Sequence, residues 1–172
     1  VKFKPNYADA YYNMGIAQNV KGEADAAIES YKKAVRIAPN YAEAHSNLGS
    51  ALIEKGDPIS AIENCNHAIR VKPDYAEAHN NLGNALQESG HLRAAVKSYN
   101  RAIEIKPDYA EAHNNLGVAL AANGDLTAAI ESYNCAIDIK PDYVNAYVNL
   151  SVSLRIKGDV RAAIESCKRA LQ

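Results

Sequence analysis

Proline stands at positions 5, 39, 73, 107 and 141, a constant step of 34 residues, with Pro58 the one proline outside the series. Glycines at 22, 56, 90, 124 and 158 keep the same step, and so do tyrosines at 7, 41, 75, 109 and 143. The stretch KPDYAEAHNNLG, Lys72 to Gly83, recurs letter for letter from Lys106 to Gly117. A fixed period of this length is the mark of stacked units, none of which can bury its apolar face alone. That excludes most single-core folds before any composition is consulted.

Within one period the pattern is that of a helix hairpin. Asp74 with Glu77 three residues on has the spacing of a capping box, repeated as Asp108/Glu111 and Asn40/Glu43. Tyr75, Ala78, Leu82, Ala85 and Leu86 share one face at helical spacing. Gly90 is suited to the left-handed conformation that closes a helix. A second amphipathic helix is predicted through Leu92, Ala95, Val96, Tyr99, Ala102 and Ile103, ending before Pro107, because the residue ahead of proline disfavours the helical region. Pro58 fits the first turn of its second helix, behind Asp57 as cap.

His79, Leu82, Gly83 and Leu86, followed by Ala95, Tyr99 and Pro107, resemble the tetratricopeptide repeat (TPR) pattern, with His in the first aromatic slot and Leu in the Tyr slot. The likeness covers essentially the whole chain. It implies an all-α fold: a right-handed superhelix (α-solenoid) of five helix-hairpin repeats, at 5–38, 39–72, 73–106, 107–140 and 141–172. Departures fall in the end repeats, where Gln18 takes the Leu slot and Ser151 the Gly slot. Residues 1–4 align with the tail of a preceding second helix, and the chain stops inside another. The expectation is therefore an excised segment of a longer array, able to self-stack end to end.

Composition limits the function. With 19 Lys+Arg against 20 Asp+Glu the chain carries no strong field, so neither nucleic acid nor an acidic membrane is an expected partner. No apolar run approaches the roughly 20 residues that span a bilayer. Three cysteines without CxxC spacing fit reduced thiols in a cytoplasmic setting. Cys65 and Cys167 align with Tyr31, Tyr99 and Tyr133 and are expected to be buried; Cys135 aligns with Lys33 and Arg101 and is expected outside. His45, His79 and His113 lie one period apart. Packed helices stand about 8–10 Å apart, whereas metal–nitrogen bonds are near ~2 Å, so these histidines cannot share an ion. No cofactor, metal site, triad or phosphate loop is expected, and hence no catalysis within the segment.

Asparagine precedes the Leu-Gly position in all five repeats: Asn13, Asn47, Asn81, Asn115 and Asn149. Asn is a poor helix former, so five in register require a reason. In one repeat Glu77, Asn81, Asn84 and Glu88 form a polar stripe apart from the Leu82/Leu86 face. One reason is structural, the amides tying successive first helices together. The other comes from the resemblance, which implies that first helices line a concave groove, as in the substrate-threading arrays of O-linked N-acetylglucosamine transferases and related bacterial TPR proteins. An amide donates and accepts at once and so matches a peptide unit.

The expected peptide-binding residues are the five ladder asparagines with Asn80, Asn84, Asn114, Glu77, Glu111 and Tyr12. The partner is a protein or peptide in extended conformation, held through its backbone with micromolar to millimolar affinity. Glu43, Glu54 and Glu88, with apolar Ile16, Val118, Val148 and Val152, would favour neutral or basic segments. A chaperone-type carboxylate clamp is disfavoured, because its basic positions read Asn80, Glu111 and Asn115. Alternatives are the substrate-recognition segment of a larger glycosyltransferase, and an assembly scaffold using the outer surface or array ends.

Overall fold

The computed structural model describes residues 7–171; the expectations placed on residues 1–6 and on Gln172 lie outside them. The described residues form ten α-helices in five consecutive pairs: α1 (Tyr7–Val20), α2 (Ala24–Ile37), α3 (Ala42–Glu54), α4 (Pro58–Val71), α5 (Ala76–Glu88), α6 (Leu92–Ile105), α7 (Ala110–Ala122), α8 (Leu126–Ile139), α9 (Val144–Lys157) and α10 (Val160–Ala170). The all-α hairpin array expected from the period is what the chain forms.

The turn inside each hairpin is set by the periodic glycine. Gly22, Gly56, Gly90, Gly124 and Gly158 all have positive φ, between 76° and 93°, which other residues adopt only at a cost. Past that turn, Asp57, Asp125 and Asp159 cap the second helices, their carboxylates accepting from the backbone N–H groups of Ser60, Ala128 and Ala162 at 3.0–3.1 Å. Pro58 occupies the first turn of α4, where its missing N–H costs nothing.

First helices begin differently from the expectation. The N-cap residues of α3, α5 and α7 are Tyr41, Tyr75 and Tyr109, without side-chain caps, so Asn40, Asp74 and Asp108 stand one place too early for the capping boxes. Packing decides the start instead. Lys72, the C-cap of α4, lays its ammonium over the Tyr75 ring at 4.8 Å; Lys106 does so over Tyr109 at 4.8 Å and Lys140 over Tyr143 at 5.3 Å.

Two compact units, 1–89 and 90–172, divide the chain. In the first, Ile28 and Tyr31 of α2 share a core with Leu48 and Leu52 of α3. In the second, Tyr133 of α8 packs with Leu150 of α9, joined by half-buried Ile130, Ile137 and Leu154. Close approach inside a hairpin depends on glycine: a Cβ on Gly117 would lie 2.5 Å from the Tyr133 ring, and one on Gly49 2.6 Å from Cys65 Sγ. Cys65 is buried as expected, and Cys135 is exposed. Cys167 is exposed, contrary to expectation, because among the described residues no first helix follows α10 to cover it.

Candidate functional site

The ladder asparagines are set by the helices that precede them. In the first unit, Asn47 of α3 donates through Nδ2 to Tyr12 Oη of α1 at 3.2 Å. Asn81 of α5 donates to Ser46 Oγ at 3.0 Å and to the Ser46 carbonyl at 3.3 Å, both on α3. In the second unit, Asn149 of α9 donates to Asn114 Oδ1 of α7 at 2.9 Å, and Asn114 donates to Asn115 Oδ1 at 3.3 Å. Each inter-helix bond spans 35 residues, one period plus one. The asparagine thus meets the residue just ahead of its own counterpart. Structural tying of neighbouring first helices, one of the two reasons considered for five asparagines in register, is present in the molecule.

That arrangement separates the expected binding residues into groups. Asn13 is exposed on α1, while Asn47, Asn81, Asn115 and Asn149 are half-buried, so part of each amide reaches solvent. Tyr12, Glu77 and Asn84 are half-buried, and Glu111 is exposed. Asn80 and Asn114 must be removed from the set. Asn80 has no exposed surface and Asn114 is 6% exposed, with its oxygen engaged by Asn149, so neither presents an amide to a ligand. Beside the ladder, Ile16 in the first unit and Val148 and Val152 in the second are exposed apolar side chains, one to three residues from Asn13 and Asn149.

The phenols of the first unit are held neutral. Tyr12 lies 4.9 Å from the Tyr41 ring and 6.1 Å from the Tyr31 ring. Burial, then the Glu43 carboxylate, raises the Tyr12 phenol. Tyr41 is pushed up to about 12 by burial and by the bond and charge of Asp9; Tyr75 reaches about 12 through burial and the charges of Glu77 and Glu43. These groups remain hydroxyls at physiological pH, available to donate or accept.

The periodic histidines serve the turns that precede their helices. Nε2 of His45, His79 and His113 donates to the carbonyls of Pro39, Pro73 and Pro107 at 2.9, 3.0 and 3.0 Å. His67 also donates to the Pro39 carbonyl and stacks on His45 with ring centroids 4.0 Å apart. Among the described residues no three His, Cys, Asp or Glu side chains gather in a metal-binding group.

Sequence reasoning missed Ser46 as a clasp acceptor. The signal was present: the position ahead of the ladder reads Tyr12, Ser46, Asn80, Asn114 and Val148, an oxygen-bearing side chain in four of five repeats.

Comparison with known proteins supplies the rest. Tetratricopeptide repeat families match residues 40–108, 80–144 and 144–172, and a TPR repeat family matches 20–56. The crystal structure of MamA is similar, with 33% identity and a TM-score of 0.78 over 91% of this chain and 92% of that one. PilF of Pseudomonas aeruginosa superposes with a TM-score of 0.87 at 21% identity, covering 96% of this chain and 76% of its own. YrrB, described as a TPR protein with an unusual peptide-binding site, gives 0.70 at 23% identity over 94% and 83%. At that identity the last two show the fold alone. No curated protein sequence matches the chain. No described helix is long and apolar enough to cross a membrane. With five hairpins in period, family matches running from residue 20 to 172 and a relative one-third identical over nearly its full length, the chain belongs to the tetratricopeptide-repeat proteins.

Proposed function

We propose that this TPR chain is a non-catalytic module that binds extended polypeptide segments along the faces of its first helices. The observation that carries this is the state of the ladder amides. Asn47, Asn81 and Asn149 are half-exposed yet held by bonds to a neighbouring helix, and exposed Ile16, Val148 and Val152 stand close by in sequence. A primary amide has two donors and two acceptor positions, so a clasp occupies only part of its capacity. The clasp also removes rotamer freedom that a ligand would otherwise have to freeze, which favours weak backbone recognition. Glu43, Glu54 and Glu88 bias the preference toward neutral or basic segments. That YrrB is described as having a peptide-binding site adds a precedent within the same fold.

A second reading has its own observation. The Nδ2 groups of Asn47, Asn81 and Asn149 all donate to a neighbouring first helix, as a purely structural ladder in a scaffold would require. Asn13 separates the two, because it is exposed on α1. Peptides selected from an array of unstructured sequences are titrated against wild type and Asn13→Ala. The binding reading expects weaker affinity with an unchanged unfolding curve. Equal affinity for every selected peptide, with Asn115→Ala also silent, removes the ladder from recognition.

A further inference from the structure

Where the second hairpin meets the third, the C-cap of α4 is Lys72. Its Nζ stands 3.3 Å from Glu43 Oε1 and 4.8 Å from the centre of the Tyr75 ring, so a carboxylate and an aromatic face share one ammonium. In the second unit Lys140 lies 5.3 Å from the Tyr143 ring centre, and Tyr143 is raised by burial and then by the Glu111 charge. Lys106 lies 4.8 Å over Tyr109. The joint between the first and second hairpins breaks the series, because its C-cap is Ala38. The backbone there is nearly the same, with φ −126° and ψ 84° against −136° and 88° at Lys72, so the two positions differ in side chain. Where the lysine would lie, a cleft of about 460 Å³ is lined by Asp9, Ala38, Pro39, Asn40 and Tyr41. Asp9 is exposed and accepts from the Tyr41 hydroxyl.

We propose that this cleft receives the ammonium of a lysine carried by a bound polypeptide, in the place that Lys72, Lys106 and Lys140 fill from within the chain. The source of the lysine rests on the peptide-binding reading above; the site itself rests on Asp9, Ala38 and Tyr41. A ring face and a carboxylate attract a cation together, and an uncharged side chain of the same shape gains neither attraction. Asp9 keeps acceptor capacity beside the Tyr41 hydroxyl, since a carboxylate offers about four lone-pair positions. The opening is set by the alanine at 38 and closed by residues of a single joint. Asn13 follows Asp9 by four residues, one turn along α1, which sets their Cβ atoms about 5–6 Å apart on the same face. A segment held through its backbone at Asn13 therefore passes within a lysine's length of the cleft.

An NMR titration with Nα-acetyl-lysine methylamide, and with the norleucine compound as its uncharged counterpart, tests the site apart from peptide binding. The lysine compound should shift the Tyr41 ring and the Ala38 amide saturably, and norleucine should bind about three- to tenfold more weakly. Tyr75, already covered by Lys72, should not respond. Ala38→Lys supplies the ammonium from within, so the response at Tyr41 should vanish while the unfolding curve holds. In peptides that bind wild type, lysines are then replaced one at a time by norleucine. One replacement should weaken binding about three- to tenfold in wild type and leave Ala38→Lys unaffected. Capped lysine that binds at Tyr41 when no peptide does supports the site and counts against the peptide-binding reading alone. Three results overturn the proposal: equal shifts with norleucine, a response that survives Ala38→Lys, or bound peptides in which no lysine matters.

Discussion

Replacing Asn81 by alanine gives opposite signs for the clasp and for a free surface amide. Asn81 makes two bonds to Ser46, at 3.0 Å to the hydroxyl and 3.3 Å to the carbonyl, and Ser46 has no exposed surface. Removing the donor leaves the buried hydroxyl with only its bond to the Tyr75 side chain. The hydroxyl bond contributes about 1–2 kcal/mol in such a setting, and the longer carbonyl bond adds little. Alanine returns up to about 0.7 kcal/mol as the better helix former. The net expectation is a loss of ~0.5–1.5 kcal/mol. At Asn13, exposed on α1, only the helix preference changes, so Asn13→Ala should be neutral or stabilising. Urea unfolding followed by far-ultraviolet circular dichroism reads both as shifts of the midpoint at constant slope. The double variant with Ser46→Ala should cost less than the sum of the single ones, because the two residues share one bond that either substitution removes. If Asn81→Ala stabilises the chain as Asn13→Ala does, or the pair is strictly additive, the clasp contributes nothing and the account of the ladder fails.

Three further outcomes follow from the geometry. Gly117→Ala drives a methyl to 2.5 Å from a buried tyrosine ring and should cost about 1–3 kcal/mol in the same urea assay. His45 is held below the ordinary histidine value chiefly by burial, with the positive charges of His67 and Arg70 in the same direction and the bonds to Asn64 and Pro39 opposing. The unfolded chain therefore takes up the proton first, so this contribution is complete above about pH 6.5 and is lost as pH falls toward the folded value; thermal unfolding between these limits should show it, and His45→Tyr, the residue found at positions 11 and 147, should abolish it. Cys65 is buried with its thiol pushed up to about 12, whereas Cys135 and Cys167 are exposed; a thiol reagent should label two cysteines in the native protein and the third only in denaturant, and equal labelling of all three would refute the burial.

The helices were legible in the sequence because their punctuation is local. A glycine at positive φ and a proline behind a helix act through neighbours in the chain, so a 34-residue step fixed ten helices. The starts of the first helices were not, although the Asp/Glu spacing was correct for a capping box. The tyrosine one place later is held by a lysine from the previous helix, and such cross-element packing leaves no mark at capping distance. Cys167 was misjudged for the same reason: alignment gives the position in the repeat but not whether a neighbour covers it. The ladder was legible as a row and illegible as a set of bonds. Its partners lie 35 residues back, and no helical wheel of one segment displays them. Asn80 and Asn114 were misjudged for that reason: both are buried, and the Asn114 oxygen serves the first helix that follows it.

The offset of one residue beyond the period has an evolutionary consequence. Repeats that differ by a whole period are interchangeable as hairpins, yet each must be followed by a partner suited to its clasp position. Tyr12, Ser46 and Asn114 offer an oxygen to a successor's asparagine, whereas Val148 carries two methyl groups at the same position. Gene duplication inserting a new copy after the first, second or fourth repeat preserves a chemically matched neighbour. Insertion after the fifth does not, so the order of the repeats carries heritable information that their near-identical hairpins conceal.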